Sequence, residues 1–442
     1  MEILSTGEKI KRARIFKGIT LKDLCGTKIS ISKMSCIENG KVKADKELLE
    51  YISEKIGIEL NYLIQDVYDQ ILNNLELIKK TLSSDSECEN KLKYNLEYAL
   101  KYKYNDLAFE LIHILFTYYV EQSKVENIQL IVSQYYDLYQ KNNNVENTLV
   151  YFKDMARYLY ENKEYLESIA YYNKLREILN QENKKIDREE YCLILYNEAI
   201  CYQRLNKYEE AYELLSIVIK DIDKINSDLN KGKIYHAYAT LCIKLNKDYA
   251  EDFKIKAFEY QKHNPINLAL SRGDYGKYYF QINDREKAIK EIEEGIKTFP
   301  HHNKEKYVEF LNSCTKILVK NSEFEIASKI ADESLNIAIS TDNISLLKKS
   351  YYLKGTILQK LGDYVQAEKY MNIALDALFK SGTKEERKER YIDMGNMYYK
   401  LGSVSDSLKY FNLAFLWIKE YKKIKGYLSL PLNIKLNLTH LC

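Results

Sequence analysis

The sequence predicts an all-α chain in which a small helical head precedes an array of repeated helix pairs. Three observations carry that expectation. Only three prolines and fifteen glycines punctuate 442 residues that are 46% hydrophobic, which are too few breakers for a many-turned sheet protein. Apolar residues recur at helical spacing from Leu21 onward. From about residue 91 one phrase returns: a small residue, a Tyr or Leu three further on, a turn, an aromatic, and a second small residue nine after the Tyr or Leu. The chain is too long for one compact core, so several domains or a repeat array are expected.

The head is organised around Ile19 to Gly40, ITLKDLCGTKISISKMSCIENG. Thr20 stands as N-cap of a short helix, and Asp23, three residues on, is placed to reach back to it. Leu21, Leu24 and Cys25 give that helix one apolar face. After a polar break from Thr27 to Ser30, Ser30 caps a second helix, with Met34 and Ile37 inward and Asn39-Gly40 as a left-handed stop. Its outward face carries Ile31, Ser32, Lys33, Ser35 and Cys36. This is a helix-turn-helix outline, and a second helix with short polar residues and a lysine near its N-terminus suits a major groove.

Charge points the same way. Net charge is only +3, but residues 1 to 60 hold all of it, with twelve Lys and Arg against nine Asp and Glu, while the remainder has 55 of each. A neutral body with a basic head fits a chain whose head alone meets phosphates. Lys41 and Lys43 lead to Asp45, which caps a helix to about Ile56 striped by Leu48, Leu49, Ile52 and Ile56. Ile58, Leu60, Leu63 and Ile64 close a domain spanning 1–66. Residues 67–90 read as a linker helix, through Val67, Ile71, Leu75 and Ile78, and a polar hinge, SSDSECEN.

The repeat phrase occurs as Ala199, Tyr202, Tyr208, Ala211; as Gly276, Tyr279, Ala288; as Gly355, Leu358, Tyr364, Ala367; and as Gly395, Tyr398, Val404, Ser407. Weaker copies surround Ala156 and Ser168, Thr315 and Ala327, an irregular turn after Ala239 and Cys242, and a first unit near Leu96, Ala99 and Ala108. Small residues are needed where the two helices of a unit cross closely, and large ones fill the gaps between units. The repeat body is expected over 91–425, with 426–442 as a C-terminal cap or tail. Tyrosine, present 41 times, is expected to serve helix packing with its hydroxyl at the wet edge.

At these residues two resemblances appear. GEKIKRARIFKGITLKDLCGTKISISKMSCIENGKVKADKELLEYISEKIGIELNYLI resembles the Cro/C1-type (XRE) DNA-binding domain, with Gly7, Ile10 and Arg14 fitting its first helix and Ser35, Glu38 and Gly40 its S-x-x-E-x-G signature. The resemblance implies a five-helix domain and a buried pair of Arg14 with Glu38. It implies DNA contacts from Thr20, Lys22, Ser30, Ile31, Ser32, Lys33, Ser35, Cys36, Lys41 and Lys43. Leu21 departs from the family, which often has a glutamine there on the DNA backbone, and this leaves that contact to Thr20 or Lys22.

The body resembles the tetratricopeptide repeat, with a period nearer 38 to 43 than the usual ~34. This implies a right-handed superhelix with a concave peptide-binding face. Carrying over the family's inward offsets gives Lys153, Arg157 and Tyr160; Tyr196, Asn197 and Gln203; His236 and Thr240; Asp274 and Lys277; Asn312 and Lys316; Tyr352, Thr356 and Gln359; and Asp393, Asn396 and Tyr399. Amides in such a lining donate to and accept from an extended peptide backbone, and Lys or Arg hold carboxylates.

Head and body together resemble the RRNPP peptide-pheromone receptors of Gram-positive bacteria, and among them the RstA-type regulators linking sporulation and toxin production. The resemblance implies a cytoplasmic, homodimeric, quorum-sensing transcription regulator that binds a palindromic double-stranded DNA operator under control of a short signalling peptide. The alternative is a repeat scaffold that binds and inhibits a response regulator or another sporulation phosphorelay protein. No enzyme is expected: the sequence has no GxxxxGK[ST], HExxH or G-x-S-x-G. No cofactor or metal is expected either, since the adjacent His301-His302 lack spaced partners. Eight scattered cysteines without a CxxC pair read as reduced core residues. The absence of a leader, together with an apolar run at Leu111 to Val120 too short to span a bilayer, leads us to expect no membrane association.

Overall fold

A computed structural model describes residues 2–81, 87–181 and 187–425. Among them every regular element is a helix. The chain falls into two compact units, Met1–Lys224 and Ile225–Cys442. The expected tail at 426–442, Leu82 and residues 83–86 of the expected hinge lie outside the described residues, while Cys88 to Asn90 of that hinge already form the start of a helix.

The first unit begins with five short helices: α1 (Thr6–Phe16), α2 (Leu21–Cys25), α3 (Ile31–Glu38), α4 (Lys46–Ile56) and α5 (Leu60–Ile64). Side-chain caps set most of their starts. Ser5 and Glu8 form a reciprocal capping box, and the backbone N–H groups of Asp23, Lys33 and Leu48 donate to Thr20, Ser30 and Asp45. Asp23 reaches back to the Thr20 hydroxyl, which donates to Oδ2 at 2.6 Å. Ile10, Leu24, Met34, Ile37, Ile52 and Leu63 make the small core. Gly7 is required by a close crossing, because a Cβ there would lie 2.2 Å from the Ile37 carbonyl oxygen at the end of α3. Lys9, 1% exposed, donates from Nζ to the carbonyls of Tyr62 and Gln65, both at 2.6 Å, and pins α1 to the end of α5.

The same unit continues with α6 (Val67–Thr81), α7 (Cys88–Lys101), α8 (Asn105–Glu121), α9 (Val125–Lys141), α10 (Val145–Glu161), α11 (Tyr165–Gln181), α12 (Arg188–Arg204), α13 (Tyr208–Lys220) and a short 3₁₀ turn at Ile222–Lys224. The expected linker helix, α6, is a packed element. Ile71, Leu75 and Ile78 share one core with Leu92, Leu96 and Leu115, and α6 packs against α7. Ile3 enters that core as well. Beside it the Leu4 N–H donates to Gln70 Oε1 at 3.1 Å and Gln70 Nε2 donates to the Leu4 carbonyl at 2.8 Å, so the N-terminus ties the five-helix head to α6.

The second unit holds α14 (Asp228–Lys244), α15 (Ala250–Gln261), α16 (Pro265–Gln281), α17 (Arg285–Thr298), α18 (Lys304–Lys320), α19 (Phe324–Ile339), α20 (Ile344–Leu361), α21 (Tyr364–Ser381), α22 (Lys384–Lys400) and α23 (Val404–Lys425). These pack as successive hairpins, α14 on α15 through α22 on α23.

The small residues of the repeat phrase meet where the helices of a hairpin cross. Ser168 Oγ donates to the Ala156 carbonyl at 2.7 Å in the first unit, and Ser407 Oγ donates to the Gly395 carbonyl at 2.8 Å in the second. A Cβ at Gly276 would lie 2.9 Å from the Ala288 carbonyl oxygen. Tight hairpin turns use a left-handed residue: Lys103, Ser123, Lys163 and Asn206 in the first unit, and Asn246, Asn283, Ser322, Gly362 and Gly402 in the second. Tyrosines fill the inter-helix gaps, as where Tyr139 stacks on Tyr151 at 4.6 Å between ring centroids. Cys25, Cys88, Cys192, Cys201, Cys242 and Cys314 are buried free thiols, and Cys36 is a half-buried one.

Candidate functional site

In the head, α1 braces α3. Arg14 Nε donates to Glu38 Oε1 at 2.6 Å and Arg14 Nη2 to Glu38 Oε2 at 2.9 Å, while Nη1 donates to the Ile19 carbonyl at 3.0 Å. The carboxylate side chain is only 3% exposed and the guanidinium 12%, and the hydrogen bonds Arg14 donates to Glu38 raise the Arg14 pKa further. This fork fixes α3 with the first turn outward. Thr20, Lys22, Ser30, Ser32, Lys33, Lys41 and Lys43 are exposed, as is Ile31 at 50%, whereas Ser35 and Cys36 are half-buried. The outward face of α3 is therefore its N-terminal half, because Met34, Ile37 and Glu38 turn the rest toward the core. Several of the head's cations are occupied within it: Lys9 and Arg14 as above, Lys17 on the Gly57 carbonyl at 3.1 Å, and Arg12 on Glu2.

In the body of the first unit, Lys153, Arg157 and Tyr160 of α10 and Tyr196 and Asn197 of α12 line one cavity of about 850 Å³. Gln203, a turn and a half further along α12, is not among its lining residues. The cavity also takes in His113 of α8, Asp154 and Glu161 of α10, Tyr172 of α11, and Asp187, Glu189 and Glu190 at the start of α12. Lys153 pairs with Glu190, and Arg157 lies 3.5 Å from Glu121. Arg204 Nε donates to the Tyr160 hydroxyl at 3.1 Å. At the floor, Asp154 Oδ2 accepts from the buried Tyr135 hydroxyl at 2.6 Å and contacts His113 Nδ1 at 2.6 Å. Burial pushes the Tyr196 phenol up to about 12, so it serves here as a neutral hydrogen-bonding group. The cavity thus offers amide, phenol and charged groups in a concave setting, which is suited to reversible recognition of an extended polar ligand.

The remaining candidates belong to the second unit. His236 approaches Asp274 at 3.4 Å and lies edge-on to Tyr275, and Lys277 sits over Tyr278. Lys316 and Tyr352 line a second, smaller cavity of about 160 Å³. Asp393 accepts from the Tyr352 hydroxyl at 2.8 Å, Gln359 and Thr356 are half-buried, and Asn396 and Tyr399 are exposed. Asn312 and Thr240 are turned away from any ligand. Asn312 is 4% exposed; its Nδ2 donates to Ser350 Oγ at 3.0 Å and its Oδ1 accepts from Ser334 at 2.9 Å, so neighbouring helices consume its amide. Thr240, 1% exposed, donates to the Ala237 carbonyl.

His113 and Asp154 escape the sequence reading for an identifiable reason. His113 sits in the most apolar of the described helices, outside the recurring phrase, and Asp154 falls one position beside the offsets that pick out Lys153 and Arg157. Among the described residues no three His, Cys, Asp or Glu side chains are grouped to hold a metal ion, and no helix is long and apolar enough to cross a membrane.

Fold and sites together define a class: a repeat chain, all-helical among the described residues, with a cap-rich basic head and a polar cavity in its first unit. No protein-family model matches the chain. Its sequence is similar to the transcriptional activator NprA of Geobacillus stearothermophilus, 20% identical over 315 residues that make up 61% of this chain and 76% of that protein. Among solved structures it is similar to apo RapI, at 15% identity, covering 80% of this chain and 99% of that one with a TM-score of 0.48. It is also similar to the apo form of the quorum sensor NprR from B. thuringiensis, at 14% identity over 80% and 100% of the two chains with a TM-score of 0.43. A third likeness is to Bacillus thuringiensis PlcR in complex with the peptide PapR7 and DNA, at 21% identity over 58% and 94% with a TM-score of 0.31.

Proposed function

We propose that this chain is a DNA-binding transcription regulator of the RRNPP type, switched by a short peptide held in its repeat body. Residues 1–66 act as the DNA-reading domain, 67–90 join it to the body, and 91–425 bind the peptide and form the dimer. The observation that carries the reading is the exposed first turn of α3, with Ser30, Ile31, Ser32 and Lys33 outward, on a head braced by the Arg14–Glu38 fork. A helix so presented puts its N-terminal side chains on base edges, while Lys22, Lys41 and Lys43 meet flanking phosphates.

The likeness to NprA supports a role in transcription, and the 850 Å³ cavity supports a peptide of a few residues. Peptide binding would shift the balance between two arrangements of the body and so change how paired heads meet half-sites about one helical turn apart. Action in the cytoplasm, quorum sensing, and control of sporulation or toxin genes belong to the same proposal.

The test is selection of bound duplexes from a random pool by the full-length chain at physiological salt. A palindromic consensus supports the reading, and retention without sequence preference refutes it.

A further inference from the structure

We propose that the small cavity bounded by α18, α20, α21 and α22 is an anion pocket for a carboxylate of the bound peptide, either its C-terminus or an Asp or Glu side chain; this rests on the peptide-binding reading above. The pocket is lined by Lys316, Lys348, Lys349, Tyr352 and Arg390, with Glu386 and Glu389 as the opposing charges.

Two of these groups cancel. Lys348, 8% exposed, lies 3.1 Å from Glu386 Oε2, and Glu386 also accepts from the Thr383 backbone N–H at 3.0 Å as part of the α22 capping box. Three cations, Lys316, Lys349 and Arg390, then face Glu389 within the lining, with Asp393 beside Arg390 just outside it.

Arg390 is held ready. Its guanidinium carbon lies 3.1 Å from the centroid of the Tyr352 ring, and the Tyr352 hydroxyl donates to Asp393 Oδ2 at 2.8 Å. That same oxygen is 3.4 Å from Arg390 Nη1, a long contact for a guanidinium only 16% exposed. Burial pulls the Arg390 pKa below its ordinary value, against the opposing influence of Tyr352, Asp393, Glu389 and Glu386. A planar fork in that state gains from a bidentate carboxylate. At about 160 Å³ the pocket admits one carboxylate-bearing group and excludes a whole peptide, so it would fix register rather than supply the bulk of the contact.

The test uses immobilised full-length protein and four pools of random N-acetylated heptapeptides: free or amidated C-termini, each with or without Asp and Glu. Retained peptides are quantified by mass spectrometry. The amidated, Asp- and Glu-free pool should be retained roughly tenfold less or worse than the best carboxylate-bearing pool, as expected for a lost charge-assisted pair. Whichever single-source pool keeps its retention identifies the carboxylate. R390Q and K349Q should erase the difference between pools. If R390Q fails to fold by circular dichroism, K349Q and K316Q, both at exposed lysines, carry the test. Equal retention of neutral and anionic pools by the wild-type chain, or undiminished discrimination by folded variants, overturns the anion pocket and leaves the peptide reading standing. No retention of any pool overturns both.

Discussion

Replacing Arg14 by alanine should unfold the head while leaving the rest of the first unit intact. Glu38 is 3% exposed and holds two charge-assisted bonds from Arg14, at 2.6 and 2.9 Å. Arg14→Ala strands that carboxylate without a partner, at a cost of about 3–5 kcal/mol. It also removes the donor to the Ile19 carbonyl at 3.0 Å, worth roughly another 1 kcal/mol. A five-helix domain of this size commonly has no more than about 3–5 kcal/mol of stability, so the loss exceeds what it can absorb. Hydrogen exchange read by mass spectrometry gives the result segment by segment. Amides of α1 to α4 should lose protection in Arg14→Ala, while α10 to α13 keep theirs. The double variant Arg14→Met with Glu38→Leu removes both charges, leaves nothing stranded, and should recover most of the protection. Unchanged exchange in Arg14→Ala, or equal loss in the single and double variants, would refute the argument that a stranded buried charge is what costs stability.

Three further outcomes follow from the same structure. Lys33→Ala should weaken binding to the selected duplex and cost about 1–3 kcal/mol of discrimination against duplexes altered at the contacted base pair, as for one lost base-edge contact; undiminished discrimination removes Lys33 from the base-reading set. Ser322 holds φ +64 and Gly362 φ +84 at equivalent hairpin turns, so Ser322→Gly should stabilise the second unit by about 0.5–1 kcal/mol and Gly362→Ala should destabilise it by about 1 kcal/mol; urea midpoints moving the other way would contradict the turn assignment. Glu198 is buried against Arg176, and desolvation pushes its carboxyl up to about 7 from 4.5. The unfolded chain releases that proton near 4.5, so stability falls as pH rises from about 4.5 to 7. The stability of wild type relative to Glu198→Gln, read by exchange in α11 to α13, should decline across that window by up to about 1.4 kcal/mol per pH unit and stay level on either side; a difference independent of pH contradicts the shift.

Much of this was legible in the sequence, and what was not has physical causes. Thr20, Ser30 and Asp45 are readable as caps because capping is local, set by residues three apart. The crossings at Ala156 with Ser168 and at Gly395 with Ser407 are readable because close approach demands small residues at fixed spacing. The fate of α6 was hidden. Its stripe was plain, but its packing partner lies beyond residues 82–86 in the chain, and the Leu4–Gln70 hydrogen bonds join positions 66 residues apart that no periodicity connects. In the large cavity of the first unit, helical offsets place Lys153, Arg157, Tyr160, Tyr196 and Asn197 together, yet they cannot say which polar side chain a neighbouring helix will consume. Asn312 is spent on Ser334 and Ser350, while Arg390, off the offset register, lines the second cavity.

The most direct test is the affinity of the full-length chain for its selected duplex, measured by fluorescence anisotropy at physiological salt against the same chain carrying Lys33→Ala, with and without a peptide recovered on the immobilised protein. The wild-type chain should bind tightly and sequence-specifically, with affinity that falls in the variant and changes several-fold when the peptide is added. Binding indifferent both to the DNA sequence and to the peptide would contradict it.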